Sequence, residues 1–98
     1  MCCCYILHSN KLDRYYVGVT CENLEDRIKK HNNRSYGSHR YTAVSNDWLL
    51  FLHIDAEEYS QAIRLERKIK SMKSRKYIEN LKRYPDLIEK IKRETKGT

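Results

Sequence analysis

Glu66 is the most informative single side chain in this sequence. Ala62, Glu66, Ile69 and Lys73 fall on one helical stripe, beside a second stripe of Leu65 and Met72. A carboxylate there borders a core, where an unpaired charge is costly, so it needs a cation, a metal ion or a hydrogen-bond network. A plain i,i+4 pair with Lys70 would also meet that need. Arg27 and His31 stand four apart and share a helix face next to Leu24 and Ile28. An arginine there can grip a phosphate oxygen and stays cationic at any working pH. A basic solvated helix edge explains the same pattern, and a histidine near a helix C-terminus suits the helix dipole. Tyr5 and Tyr16 lie on two successive apolar runs, with Tyr15 facing the other way. Phenols on strands are ordinarily core residues, and one with a pKa near 10 acts as a base only where cations or a metal lower that value.

These residues need a scaffold. Residues 3–8 form a strand-length apolar run, 9–14 a polar turn and 15–19 an aromatic, β-branched run, which together predict a hairpin. Gly18 inside the second strand points to a bulge or a close approach by another group. Asn23 caps a helix that runs to about Asn32, with Glu25 and Asp26 in its first turn. Residues 32–46, with Arg34, Tyr36, His39, Arg40 and Tyr41, carry no clear period and predict a long basic, aromatic loop. Trp48–Ile54 is apolar nearly throughout, as expected of a central strand covered on both faces. Ser60 is expected to cap a helix through Met72, with Ala62, Leu65, Ile69 and Met72 buried. Ser74 caps another to about Leu81, and Pro85 opens a last amphipathic helix using Leu87, Ile88 and Ile91. The order β-β-α-β-α-α-α predicts an α+β domain: a three-stranded antiparallel sheet flanked by helices.

The chain has 98 residues, enough for one domain, and a formal net charge of +7 from 20 Lys/Arg against 13 Asp/Glu. That excess favours a polyanionic partner. A membrane surface is a poorer match: no apolar run is long enough to span a bilayer, and neither a lipidation motif nor a signal peptide stands out. Three of the four cysteines are consecutive, so neighbours on a strand point to opposite faces and cannot converge on one tetrahedral ion. Reduced thiols acting as small hydrophobes, in a cytoplasmic protein, are the expectation.

Taken in order, the residues resemble the GIY-YIG nuclease superfamily, especially its small stand-alone bacterial members, over roughly residues 3–82. Cys3-Cys4-Tyr5-Ile6-Leu7 stands at the first motif and Tyr16-Val17-Gly18 at the second. Residues 23–32 match the helix bearing the family arginine and histidine, Arg40-Tyr41-Thr42 and Trp48–Phe51 the loop and third strand, and residues 62–71 the helix of the metal-binding glutamate. Cys3 replaces the glycine of the first motif. Ile78 stands where many members carry an asparagine, and Asn80 is out of register with that position.

The resemblance implies a metal-dependent endonuclease acting on DNA, with RNA as the other candidate substrate, in repair, recombination or restriction. It implies a nuclease domain over residues 1–82, with 83–98 as the C-terminal amphipathic helix and tail of the same domain. Glu66 would hold one Mg²⁺ or Mn²⁺. Arg27 would grip the scissile phosphate, and Tyr5 or Tyr16, with Tyr5 preferred, would activate water with help from His31. Lys29, Lys30, Arg34, Tyr36, His39, Arg40, Tyr41 and Lys73 would contact the nucleic acid. The alternative is a non-catalytic nucleic-acid-binding module on the same scaffold. A monomer or weak homodimer is expected, and a protein partner docking on the C-terminal helix is a further reading.

Overall fold

The computed structural model describes residues 2–33 and 45–96. Three strands, β1 (Cys2–Ser9), β2 (Arg14–Thr20) and β3 (Trp48–Ala56), form an antiparallel sheet in the order β2-β1-β3. Four helices complete the α+β fold: α1 (Leu24–Asn32), α2 (Tyr59–Met72), α3 (Arg75–Arg83) and α4 (Pro85–Thr95).

β1, not β3, is the central strand, which corrects the expectation for Trp48–Ile54. Residues 3–7 of β1 are all buried, whereas Leu49 on β3 is 62% exposed and Leu50 is also exposed. An apolar run does not say which edges find neighbours, and in β3 only Trp48, Ile54 and Ala56 are buried. A register shift between Ile6 and Leu7 leaves Phe51 opposite no β1 residue, a bulge in the β1–β3 ladder.

The sheet separates two cores by the alternation of its side chains. On one face Cys4, Ile6, Val17, Ile54 and Ala56 meet Ala62, Leu65 and Ile69 of α2, together with Leu81 of α3 and Ile91 of α4. On the other, Cys3, Tyr5, Leu7 and Trp48 pack with Tyr16 and with Leu24 and Ile28 of α1. Helix α4 turns its apolar stripe inward, and α2 reaches it twice: Arg64 Nε donates to Thr95 O and Gln61 Nε2 to Lys92 O.

The helix starts follow local chemistry. Asn23 Oδ1 accepts from Asp26 N, Ser74 Oγ accepts from Tyr77 N, and Pro85 sits in the first turn of α4. Ser60 is not a cap. It lies inside α2, whose N-cap is Glu58 with no side-chain bond. Met72 is not core either: it is 43% exposed, because α2 turns away at Lys73, and Gln61 is buried at the other end.

The expectation of four reduced thiols is corrected as well. Cys2 and Cys21 form a disulfide, with Cα atoms 4.0 Å apart. The register pairs Cys3 with Thr20, which sets Cys2 and Cys21 directly across from each other. Cys3 and Cys4 remain free and buried, one in each core. Burial pushes both thiols up, Cys4 to about 12 with the Glu66 charge adding, so both behave as inert small hydrophobes. Among the described residues no helix is long and apolar enough to cross a membrane.

Candidate active site

Four of the residues singled out from sequence converge on the α1 side of the sheet. Tyr5 projects from the middle of β1 and Tyr16 from β2, two residues before the Gly18 that pairs with Tyr5. The Tyr5 hydroxyl lies 2.8 Å from His31 Nε2 in a buried hydrogen bond, and Arg27 Nε donates to the same oxygen over 3.4 Å. The Tyr5 hydroxyl thus accepts from Arg27 and shares a second hydrogen bond with the imidazole. The Tyr16 ring stands 6.3 Å from that of Tyr5, 4.9 Å from the His31 ring and 6.4 Å, edge-on, from Trp48. Arginine, imidazole and two phenols from three elements form one interlocked cluster.

Gly18 makes the cluster possible. A Cβ there would lie 2.6 Å from Tyr5 Cζ and Oη and 2.9 Å from Tyr16 Cε2, both well inside contact distance. The close approach expected at this glycine is made by two phenol rings.

His31 is 3% exposed. Burial, with the Arg27 charge adding, pushes its pKa down to about 4, so the imidazole is neutral at physiological pH. Arg27 also approaches Glu22 at 3.9 Å, and Lys30 pairs with that carboxylate at 3.0 Å. Lys29 is exposed in the last turn of α1.

The structure does not bring Glu66 into that cluster by any direct contact. Glu66 projects from α2, on the other face of the sheet, and its Oε2 pairs with Lys70 Nζ at 3.4 Å, the i,i+4 contact the spacing allows. Its side chain is 23% exposed, and Oε1 makes no hydrogen bond or ion pair among the described residues. Those residues hold no group of three His, Cys, Asp or Glu side chains able to bind an ion together.

The two faces meet at the open edge of β2. A groove of about 590 Å³ runs there between the strand and the α2–α3 turn, lined by Tyr16 from one face and by Tyr15, Val17 and Lys70 from the other. Lys73 stands in the same groove, at the end of α2. Arg34, Tyr36, His39, Arg40 and Tyr41 lie outside the described residues.

Sequence reasoning missed Asn32, which it read only as the end of α1. Its amide clamps the start of β3: Trp48 N donates to Oδ1 at 2.7 Å, and Nδ2 donates to Trp48 O at 3.0 Å. The neighbouring Asp47 accepts from Ser9 Oγ, Ser45 Oγ and Lys11 N, which fixes the hairpin turn to the chain entering β3. An asparagine at a helix end announces neither contact, since both partners are backbone atoms sixteen residues away.

The fold is that of a family of nucleases. The chain belongs to the GIY-YIG nuclease superfamily: the GIY-YIG catalytic domain matches residues 1–79. No curated protein and no solved structure matches the chain.

Proposed function

We propose that this protein is a metal-dependent endonuclease that hydrolyses phosphodiester bonds in DNA. The observation that carries the reading is the Arg27–Tyr5–His31–Tyr16 cluster, whose Tyr16 stands on the edge strand β2, against which the helix of Glu66 also packs. Residues 1–82 act as the nuclease unit, with 83–98 as its C-terminal helix and tail.

Charge and exposure divide the roles. Arg27 supplies a permanent cation for a non-bridging phosphate oxygen and for the charge that grows on it during attack. Tyr5 is 0% exposed and its hydroxyl is engaged on both sides, so it holds Arg27 and His31 in place. Tyr16 is half-buried and lines the groove, which favours it over Tyr5 as the phenol beside the attacking water. In the hydrolysis, water oxygen bonds to phosphorus and the bond to the leaving oxygen breaks, while Tyr16, acting as the phenolate, takes the proton lost by water and returns it to the leaving oxygen.

Glu66 is the residue to hold the cofactor. A lone, part-exposed carboxylate with one uncommitted oxygen suits Mg²⁺ or Mn²⁺, which take hard oxygen ligands and keep several waters; it does not suit zinc. Once bound, the ion would stabilise charge on the leaving oxygen. Lys70 already opposes that carboxylate, and this contact favours a second reading, a nucleic-acid-binding module without turnover.

Cleavage of supercoiled and branched DNA with Mg²⁺ or Mn²⁺ separates the two. The expected result is cutting that EDTA abolishes and that Glu66→Ala and Arg27→Ala each reduce roughly 100-fold or more. Undiminished cutting by both variants would sink the assigned site. Binding without cutting in every metal would leave the second reading standing.

A further inference from the structure

The groove along the open edge of β2 has features that the cluster around Tyr5 does not need. Its floor is apolar, made by Val17, Ile69 and Ile78. Its banks are cationic: Arg14 stands on the strand side, and Lys70, Lys73 and Arg75 on the helical side, against the single carboxylate of Asp13. Two of the four cations are committed. Arg75 is bound to Asp13 and also pairs with Glu79, and Lys70 pairs with Glu66. Arg14 and Lys73 are exposed and make no ion pair among the described residues.

Lys73 carries a second mark. It ends α2 in the left-handed region, at φ 47°, ψ 40°, a position where glycine is the usual residue and where a side chain costs about 1 kcal/mol. A lysine at a strained backbone position, lining a groove, is better suited to binding than to holding the fold.

We infer that this groove is the track for one single strand of the nucleic acid, with Arg14 and Lys73 gripping its phosphates from opposite banks. The inference rests on the nuclease reading and deepens it by naming the form of substrate taken at this edge. Cations on two banks converge on a chain lying between them, whereas a duplex presents a broad convex surface that rests on one side. An apolar floor receives the sugars and bases of an unpaired strand, as in other single-strand grooves. Tyr16, which packs on His31 in the cluster, also lines the groove, so a strand lying in it passes one member of the cluster. Substrates with an unpaired arm beside a duplex are the class this geometry selects.

Fluorescence anisotropy with a labelled single-stranded oligodeoxynucleotide and a blunt duplex of equal length, in EDTA over a salt series, tests the track. For the single strand, Arg14→Gln/Lys73→Gln should weaken binding at least tenfold at low salt and reduce the slope of log K against log salt by about 1.4, at roughly 0.7 for each lost phosphate contact. Arg14→Lys/Lys73→Arg should keep the parent slope. Lys90→Gln/Lys96→Gln, with the same charge change on and just beyond α4, should leave the slope at the parent value. Lys73→Gly should bind less tightly while unfolding at a higher temperature, which excludes misfolding as the cause. An unchanged slope in the double variant, an equal fall in the α4 control, or a loss confined to the duplex overturns the track and leaves the nuclease reading intact. A parent protein that neither binds nor cuts any of these DNAs overturns both.

Discussion

The Tyr5 hydroxyl and His31 Nε2, twenty-six residues apart in the chain, meet at 2.8 Å in a site closed to solvent. This bond fixes α1 to the central strand at the point where Arg27 also touches the phenol. Replacing Tyr5 by Phe keeps the ring and strands a buried imidazole nitrogen, a loss that costs about 1–3 kcal/mol. Urea unfolding should show a lower midpoint with an unchanged slope, and DNA cleavage should fall with it. A variant as stable as the parent would mean that the bond contributes nothing.

The same burial makes stability depend on pH. His31 titrates near 4 in the folded chain against about 6.5 when unfolded, so the unfolded state takes up the proton first. The stabilisation is fully present above pH 6.5 and is lost as pH falls toward 4. Thermal midpoints should decline across that window in the parent and decline less in His31→Gln. Equal slopes in the two proteins would contradict the placement of His31.

Gly18→Ala places a methyl group where the Tyr5 ring and its hydroxyl already stand, 2.6 Å away. Neither phenol has room to retreat, since Tyr5 is buried and Tyr16 is packed against His31 and Trp48. Overpacking of this kind costs about 1–3 kcal/mol. The near-ultraviolet circular dichroism of the tyrosines should change, and cleavage should fall further than the stability loss explains. An unchanged spectrum would show that the two rings accommodate the methyl freely.

What could be read from the chain alone followed a physical division. Local chemistry was legible: Asn23, Ser74 and Pro85 announce helix starts because each satisfies or forgoes a backbone donor within its own turn. The strands were legible from their alternation and apolar content, and the cluster from the family order of Tyr5, Tyr16, Arg27 and His31. Edges and register were not. Hydrophobicity marks β3 as a strand but not that it pairs on one side alone among the described residues, and no local signal states that Cys2 faces Cys21 or that Asn32 reaches Trp48. Those facts arise only when the strands are in register.

The Cys2–Cys21 disulfide closes a loop with a sequence separation of 19 around the whole β1–β2 hairpin and ends just before α1. Constraining a loop of that size removes unfolded-state entropy worth about 3 kcal/mol. Reduction, or Cys2→Ser/Cys21→Ser, should lower the unfolding midpoint by several degrees and leave the Tyr5–His31 contact in place, because that contact is held by the sheet and α1. Mass spectrometry after alkylation under non-reducing conditions should label neither Cys2 nor Cys21. Alkylation of both in the native protein would refute the bond.

Asn32 offers the sharpest separation of structure from chemistry. Its amide satisfies both backbone groups of Trp48, and one residue earlier His31 reaches into the cluster, so the clamp sets the depth at which the imidazole sits. Asn32→Ala removes both bonds and should cost about 2 kcal/mol. Asn32→Asp keeps an acceptor for Trp48 N but faces Trp48 O with a charged oxygen, so its deficit should shrink as pH falls and the carboxylate takes a proton. A role in positioning predicts more than lost stability. With the last turn of α1 loosened, His31 becomes hydrated and its pKa rises from about 4 toward the ordinary value, which NMR titration of the ring protons reads directly. Cleavage should decline along with that rise across Asn32→Ala and Asn32→Asp. A variant that loses stability but keeps the parent His31 titration would reduce Asn32 to a simple tie between α1 and β3.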